Sequence, residues 1–296
     1  MRLGCYPLQR NAPLTPGYCV VGRVHSHPDS SPSSSSSSRF KPGDLVAALT
    51  VYDSEATYTN VPEKYLLPLP EDIDHAKACA LVLDWNTAYG MVDRAASVKK
   101  GDAVFVHGMS GAVGCAVMQL CLLRGATVYG TASPSKHEEI RAIGGHPFVY
   151  TDKKWMEAMR GVELTAVFDP LGFASWDESY SVLSQKKSSV LVGYGGNSRT
   201  LNDDSNIGGG VWVLIWSTLK LLLRNLVPGK RSTNFFYIDR NQKTFVPEFE
   251  ALVEMLRKGE IDVRVRKVLR LEEVQDMHRE WTKLGGIGSV VVKVDQ

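Results

Sequence analysis

Residues 101–114 read Gly-Asp-Ala-Val-Phe-Val-His-Gly-Met-Ser-Gly-Ala-Val-Gly, which sets glycines at 108, 111 and 114 between an apolar run and a helix-forming run. A strand, a tight glycine turn and a helix in that order make an anion site. The glycines let main chain approach a diphosphate without a Cβ in the way, and the helix start aims unpaired N–H groups and a positive dipole end at it. A glycine triplet alone is a weak signal, but both flanking patterns that the motif demands are present. The turn expected to hold a dinucleotide therefore comprises Gly108, Ser110, Gly111, Ala112, Val113 and Gly114.

The end of the next strand reports which dinucleotide fits, because an acid there would accept hydrogen bonds from a free ribose 2′-OH. Residues 129–136 run Tyr-Gly-Thr-Ala-Ser-Pro-Ser-Lys and contain no carboxylate. Ser133, Ser135 and Lys136 can instead donate to a 2′-phosphate, which favours NADPH over NADH. The same residues also suit the cap and first turn of the following helix, and the two roles are compatible. Ser110 raises one rival chemistry, the nucleophile elbow of hydrolases, which needs Gly-x-Ser-x-Gly. Ala112 stands where its last glycine belongs, and no Asp and His follow in the usual order.

The elements that must position these residues can be read from periodicity. Tyr18–Val24 and Leu45–Val51 are strand-like, rich in β-branched residues, and Lys41-Pro-Gly-Asp44 is the turn feeding the second. Between them lies the tract Ser26–Ser38, which has nothing apolar to bury and reads as a surface loop. His75–Arg94 reads as one or two helices. Strands at Ala103–His107, Thr127–Thr131, Pro147–Tyr150, Leu164–Phe168 and Ser188–Val192 then alternate with helices at Ala112–Arg124, Lys136–Ile143, near Lys154 and at Trp176–Leu183. Such alternation specifies a parallel sheet covered on both faces, an α/β, doubly wound domain. A helix at Val246–Lys258, a strand at Arg264–Leu269, a helix from Leu271 and a strand at Ser289–Val294 complete the chain.

Composition bounds the function. The chain has 296 residues, 44% of them hydrophobic, enough for about two domains. Lys plus Arg number 34 against 32 Asp plus Glu, without the basic stripe that nucleic-acid binding requires, so no nucleic-acid partner is expected. Five cysteines form no CxxC pair or metal-ligand spacing, and fit reduced thiols in a cytoplasmic protein. His25 and His27 lack a third partner, and no metal site is expected. The apolar stretch Val211–Leu223 is too short to span a bilayer and carries Ser217, Thr218 and Lys220; membrane contact is the disfavoured reading.

Several motifs in register resemble the zinc-independent, quinone-oxidoreductase-like branch of the medium-chain dehydrogenase/reductase superfamily. They are the run 101–114, Pro16-Gly17-Tyr18, Val21-Gly22-Arg23-Val24, Lys41-Pro42-Gly43-Asp44, Asn86-Thr87-Ala88-Tyr89 and Phe168-Asp169. The resemblance covers about Gly4 to Val294. It implies a Rossmann doubly wound parallel sheet plus a partial GroES-like β domain formed by both chain ends. The expected division is 1–86 for the N-terminal part of the catalytic domain, 87–237 for the dinucleotide-binding domain, and 238–296 for the segment that completes the catalytic domain. It further implies a cytosolic homodimer that reduces quinones, enones or enoyl-type double bonds with NADPH. By the same resemblance Gly111–Gly114 meet the diphosphate, Lys136 the 2′-phosphate and Tyr150 the adenosine. Thr87, Gly193, Tyr194 and the segment Phe235–Tyr237 border the nicotinamide. For Tyr150 and Tyr237, filling a sheet edge is the equal alternative.

Departures from the pattern are equally specific. Tyr18 stands where the zinc-binding relatives carry histidine, Asp84 replaces an asparagine, Cys19 an acidic residue, and Ser289 a lysine. The opening at Arg2-Leu-Gly-Cys-Tyr6-Pro7 begins later than the family's catalytic domain, which suggests a shortened substrate wall. Tyr6, Tyr52 and Tyr58 are the phenols available to bond a substrate carbonyl or protonate an enolate. A contrasting reading is a catalytically weak or inactive NADPH-binding interaction protein, membrane-peripheral through the segment Val211–Arg224.

Overall fold

The computed structural model describes residues 10–11, 13–26, 38–172, 174–195, 210–280 and 283–294. Three strands open the fold in an antiparallel sheet ordered β1-β2-β3: β1 (Cys19–Arg23), β2 (Leu45–Leu49) and β3 (Leu67–Pro68). Strand β2 ends two residues earlier than its apolar pattern suggests, because Val51 and Asp53 take positive φ values of 74° and 69° and turn the chain away. The serine-rich tract lies for the most part outside the described residues.

Residues 75–95 run helically without a break, as α1 (His75–Ala80), a wide turn at Leu81–Trp85, α2 (Asn86–Gly90) and a second wide turn at Met91–Ala95. Asp74 caps the start, its Oδ1 accepting from Lys77 N–H at 2.9 Å. This run carries Ala78, Leu81, Val82, Trp85, Ala88, Met91 and Val92 into the interior. It joins the apolar side of β1–β3 to the large sheet in one continuous core.

That large sheet is parallel, six-stranded and ordered β6-β5-β4-β7-β8-β9. Its members are β4 (Ala103–Val106), β5 (Thr127–Ala132), β6 (His146–Val149), β7 (Leu164–Asp169), β8 (Ser189–Gly193) and β9 (Arg231–Phe235). Side-chain alternation builds a core on each face. Val104, Val106, Ala166, Phe168 and Val192 face the helical run and α3 (Ala112–Leu123). Phe105, Val167 and Leu191 face Trp155, Met159 and Trp176 on the other side. Helices α4 (His137–Ile143), α5 (Lys154–Ala158), α6 (Ala174–Ser181) and α7 (Gly210–Leu223) complete the crossovers. Gly144 ends α4 with φ at 107°, a left-handed cap that favours glycine.

After β9, helix α8 (Phe245–Arg257) buries Phe245, Phe249 and Leu252 against the helical run. Its Glu248 is also buried, and accepts from Arg94 Nε at 2.6 Å. Strands β10 (Val265–Arg270) and β11 (Ser289–Lys293), joined through α9 (Val274–Glu280), pair with each other in a separate parallel sheet. That pair packs on α1. The two chain ends thus lie together on one side of the parallel sheet's helical cover, a partial GroES-like β domain beside a Rossmann domain.

Candidate functional site

Chain order and sheet order part company at β4: the chain first builds outward through β5 and β6, then returns to lay β7, β8 and β9 on the other side. The crevice outside the carboxyl ends of β4 and β7 is where such sheets take ligands. The glycine turn occupies it. Gly108 has φ of 65°, and a Cβ on it would meet nothing within 4 Å, so bare main chain faces open space there. Its carbonyl accepts Gly111 N–H at 2.9 Å. A Cβ on Gly114 would lie 2.3 Å from that carbonyl oxygen, and one on Gly130 of β5 would lie 2.2 Å from Val106 O. Helix α3 thus starts pressed against the turn, and by helix geometry the amides of Ala112, Val113 and Gly114 have no acceptor within the helix. The residues present fit a diphosphate.

The second-strand residues lie beside this turn. Ser133 is half-buried and does not cap the following helix with its side chain, while Ser135 is exposed. Lys136 Nζ donates to Leu284 O at 2.9 Å, which brings the loop before β11 against the end of β5. Burial first, and the Arg266 guanidinium second, hold the Lys136 amine below its ordinary pKa. Two cations therefore converge beyond β5. The same C-terminal loop touches the turn directly, Gly288 N–H donating to Ser110 O at 3.0 Å.

On the other side of the crevice, Tyr194 N–H donates to Asp169 O at 3.1 Å, and Phe236 N–H to Gly193 O at 2.8 Å. Tyr194 is buried; burial and then the Asp169 carboxylate push its phenol far up, so it holds its proton. Thr87 is buried on α2 next to Asn86, whose Nδ2 donates to Phe245 O at 3.2 Å. Phe235 packs against Trp176 with ring centroids 5.9 Å apart. Tyr150 and Tyr237 are both more than half exposed. Of the candidate phenols, Tyr6 lies outside the described residues. Tyr52 receives the Arg10 guanidinium over its ring at 4.8 Å, and the exposed Tyr58 tilts against His25 at 5.0 Å.

Two clusters escaped the sequence reading. Asp84, in the first wide turn, accepts from Ser289 Oγ at 2.6 Å, and burial raises its carboxyl to about 6. The charge of Asp84 also acts on the Cys19 thiol, which lies 3.8 Å from Cys79 Sγ. Three departures from the family pattern, at 19, 84 and 289, thus meet at one spot. The second cluster runs behind the glycine turn through His107, Thr131, Ser179 and Asp169. A glycine inside β5 was the one signal of close packing there.

No protein-family model matches the chain. The synaptic vesicle membrane protein VAT-1 homolog of Danio rerio is 28% identical over 304 residues, covering 99% of this chain and 60% of that protein. The chain thus spans about three fifths of that relative's length. A probable quinone oxidoreductase of Schizosaccharomyces pombe is 28% identical over 247 residues, covering 81% of this chain and 69% of its own. Among solved structures, the Escherichia coli quinone oxidoreductase complexed with NADPH superposes with a TM-score of 0.76 at 20% identity, over 98% of this chain and 85% of its own. The chain is thus similar in sequence to these relatives, and its sheet that reverses at a glycine turn shares the fold of the quinone oxidoreductase complexed with NADPH.

Proposed function

We propose that the chain is an NADPH-dependent oxidoreductase that passes a hydride to a quinone, an enone or an enoyl-type activated double bond, without zinc. The observation that carries this reading is bare glycine main chain at the reversal point of a parallel sheet, with Lys136 and Arg266 beyond the adjoining strand. Residues 108–114 would hold the diphosphate through main-chain N–H groups. Lys136 would exchange the Leu284 carbonyl for a 2′-phosphate. Thr87, Gly193, Tyr194 and Phe235 would border the nicotinamide, which supplies the hydride when bound. Hydride transfer needs orientation and exclusion of water more than acid–base groups. The protein's task is then to hold an electrophilic carbon against that ring, with a donor near the developing oxyanion. Tyr52 and Tyr58 stay candidates for that donor, and the division at residues 86 and 237 stays the proposed domain plan.

Titration of intrinsic fluorescence with NADPH and NADH tests the coenzyme. The expected result is tighter NADPH binding, with Lys136→Ala weakening NADPH about tenfold, the scale of one charge-assisted hydrogen bond, and NADH hardly at all. Equal affinities that the substitution leaves unchanged would remove the 2′-phosphate role. Loss of nicotinamide absorbance on adding quinones and enones tests turnover.

One observation favours a second reading, an NADPH-binding protein that acts through an interaction surface. Ile215, Trp216, Leu219, Leu222 and Leu223 of α7, followed by Leu226 and Val227, are exposed together, Trp216 at 66% and Leu226 at 76%. Among the described residues no helix is long and apolar enough to cross a membrane. A homodimer contact would cover this face, and so would a lipid surface. Sedimentation as a dimer with no flotation on anionic vesicles is the expected outcome; flotation of a monomer would favour the peripheral reading.

A further inference from the structure

Strand β4 leads into His107, whose imidazole is 4% exposed and bonded at both nitrogens. Nδ1 lies 3.2 Å from Thr131 Oγ1, and Nε2 lies 3.0 Å from Ser179 Oγ. Ser179 Oγ donates to Asp169 Oδ2 at 2.7 Å. The carboxylate is held in place by Ser175 Oγ at 2.7 Å and by Leu171 N–H at 2.8 Å. At the other end, Gly108 N–H donates to Thr131 Oγ1 at 3.2 Å. The rings of Phe105 and Trp155 close over the imidazole edge-on at 5.0 and 4.9 Å.

The inventory of protons gives this chain one direction. Asp169 only accepts, so Ser179 commits its single proton there. The Ser179 oxygen must then accept, which puts the imidazole proton on Nε2 and leaves Nδ1 bare. Nδ1 accepts the Thr131 hydroxyl proton, and the Thr131 oxygen is left to accept from Gly108. With the proton on Nδ1 instead, bare Nε2 would face a serine oxygen with no proton to give. Burial supports the neutral ring, holding His107 below its ordinary pKa against the pull of Asp169. Ser179 and Asp169 are both 0% exposed, and the serine stands between acid and imidazole, so this is no nucleophilic triad.

Gly108 is the pivot of the glycine turn. Its carbonyl receives Gly111 N–H and fills the space that Gly114 leaves free, so fixing its amide fixes the turn. We propose that His107 is a positioning residue for the coenzyme: as a neutral, Nε2-protonated imidazole it carries the anchorage of Asp169 through Ser179 and Thr131 to the Gly108 amide, and holds the turn in the shape that takes a diphosphate. This inference rests on the dinucleotide reading above.

Two measurements test it. Nitrogen-15 NMR of the imidazole at about pH 7 is expected to show the neutral Nε2–H tautomer; an Nδ1–H or charged ring would overturn the assignment. In binding titrations, Thr131→Val keeps the side-chain shape but removes the hydroxyl. It is expected to weaken NADPH and NADH by the same factor, about fivefold to tenfold for one buried hydrogen bond, with their ratio intact. Thr131→Ser should restore affinity. Ser179→Ala should weaken both coenzymes less, and add little to Thr131→Val because the same chain is already broken. Dinucleotide binding that Thr131→Val leaves unchanged, or fully additive losses, would overturn this inference alone. Failure of the wild-type chain to bind either dinucleotide would overturn the functional reading and this inference together.

Discussion

Gly114→Ala is expected to weaken dinucleotide binding about 30- to 150-fold and to lower thermal stability as well. The added Cβ would sit 2.3 Å from Gly108 O, 2.9 Å from Gly108 C and 3.0 Å from Met109 Cα, all main-chain atoms that no rotamer change can clear. Relief requires moving the turn itself, which breaks the Gly111 to Gly108 bond and draws the Gly108 amide from Thr131. Forced overpacking of this kind costs about 2–3 kcal/mol, and each 1.4 kcal/mol is about tenfold in affinity. Gly22→Ala is the control: a Cβ there meets nothing within 4 Å, and both affinity and melting temperature should stay as they were. Calorimetric titration with NADPH and a thermal melt on each variant measure both. A Gly114→Ala protein that binds like wild type would mean that the diphosphate sits elsewhere.

Asp84→Asn is expected to stabilise the chain, and to do so only once the pH is high enough. The folded carboxyl holds its proton up to about 6, whereas the unfolded one loses it near 3.8. As pH rises through that window the unfolded state ionises first, so folding loses stability, and above about pH 6 the full penalty applies. A shift of this size corresponds to ~3 kcal/mol. Within that shift the Ser289 hydrogen bond and the Arg266 charge already offset part of the burial cost. A net gain of ~2–3 kcal/mol follows at about pH 7.5, and almost none at about pH 3. For a chain of this length that is a rise in Tm of about 2–4 °C per kcal/mol. The amide oxygen can still accept from Ser289. Equal effects at both pH values, or a lower Tm at the higher one, would show that burial does not govern this carboxyl.

The contrast between these two sites explains what could be read from the chain beforehand. The glycine turn was legible because strand, turn and helix are contiguous, and their requirements are local. Strands β4 to β8 of the parallel sheet were legible for the same reason, within a residue or two at their ends. Strand β9 was not recognised as a separate element: Arg231–Phe235 is polar at Arg231, Ser232, Thr233 and Asn234, and it is held by pairing with β8 and by Asn225, which accepts from Thr233 N–H at 2.7 Å. The wide turns of residues 81–85 and 91–95 have no sequence signature either. Arg94 with Glu248, Asp84 with Ser289, and His107 with Ser179 are separated by tens to hundreds of positions, and only the fold brings them together. The substitutions at 19, 84 and 289 were each visible as departures. That the three positions are neighbours in the fold was not.

The contact of Gly288 with Ser110 has a consequence for synthesis. During translation all six strands of the parallel sheet leave the ribosome before the residues that lean on the turn, and domains assemble as they emerge. A nascent chain at that stage has its six-stranded sheet but lacks the loop that contacts the glycine turn. A truncation after residue 283 would keep all six strands from β4 to β9 but lose β11 together with the loop at 284–288, leaving β10 without its partner and the glycine turn without its contact from Gly288.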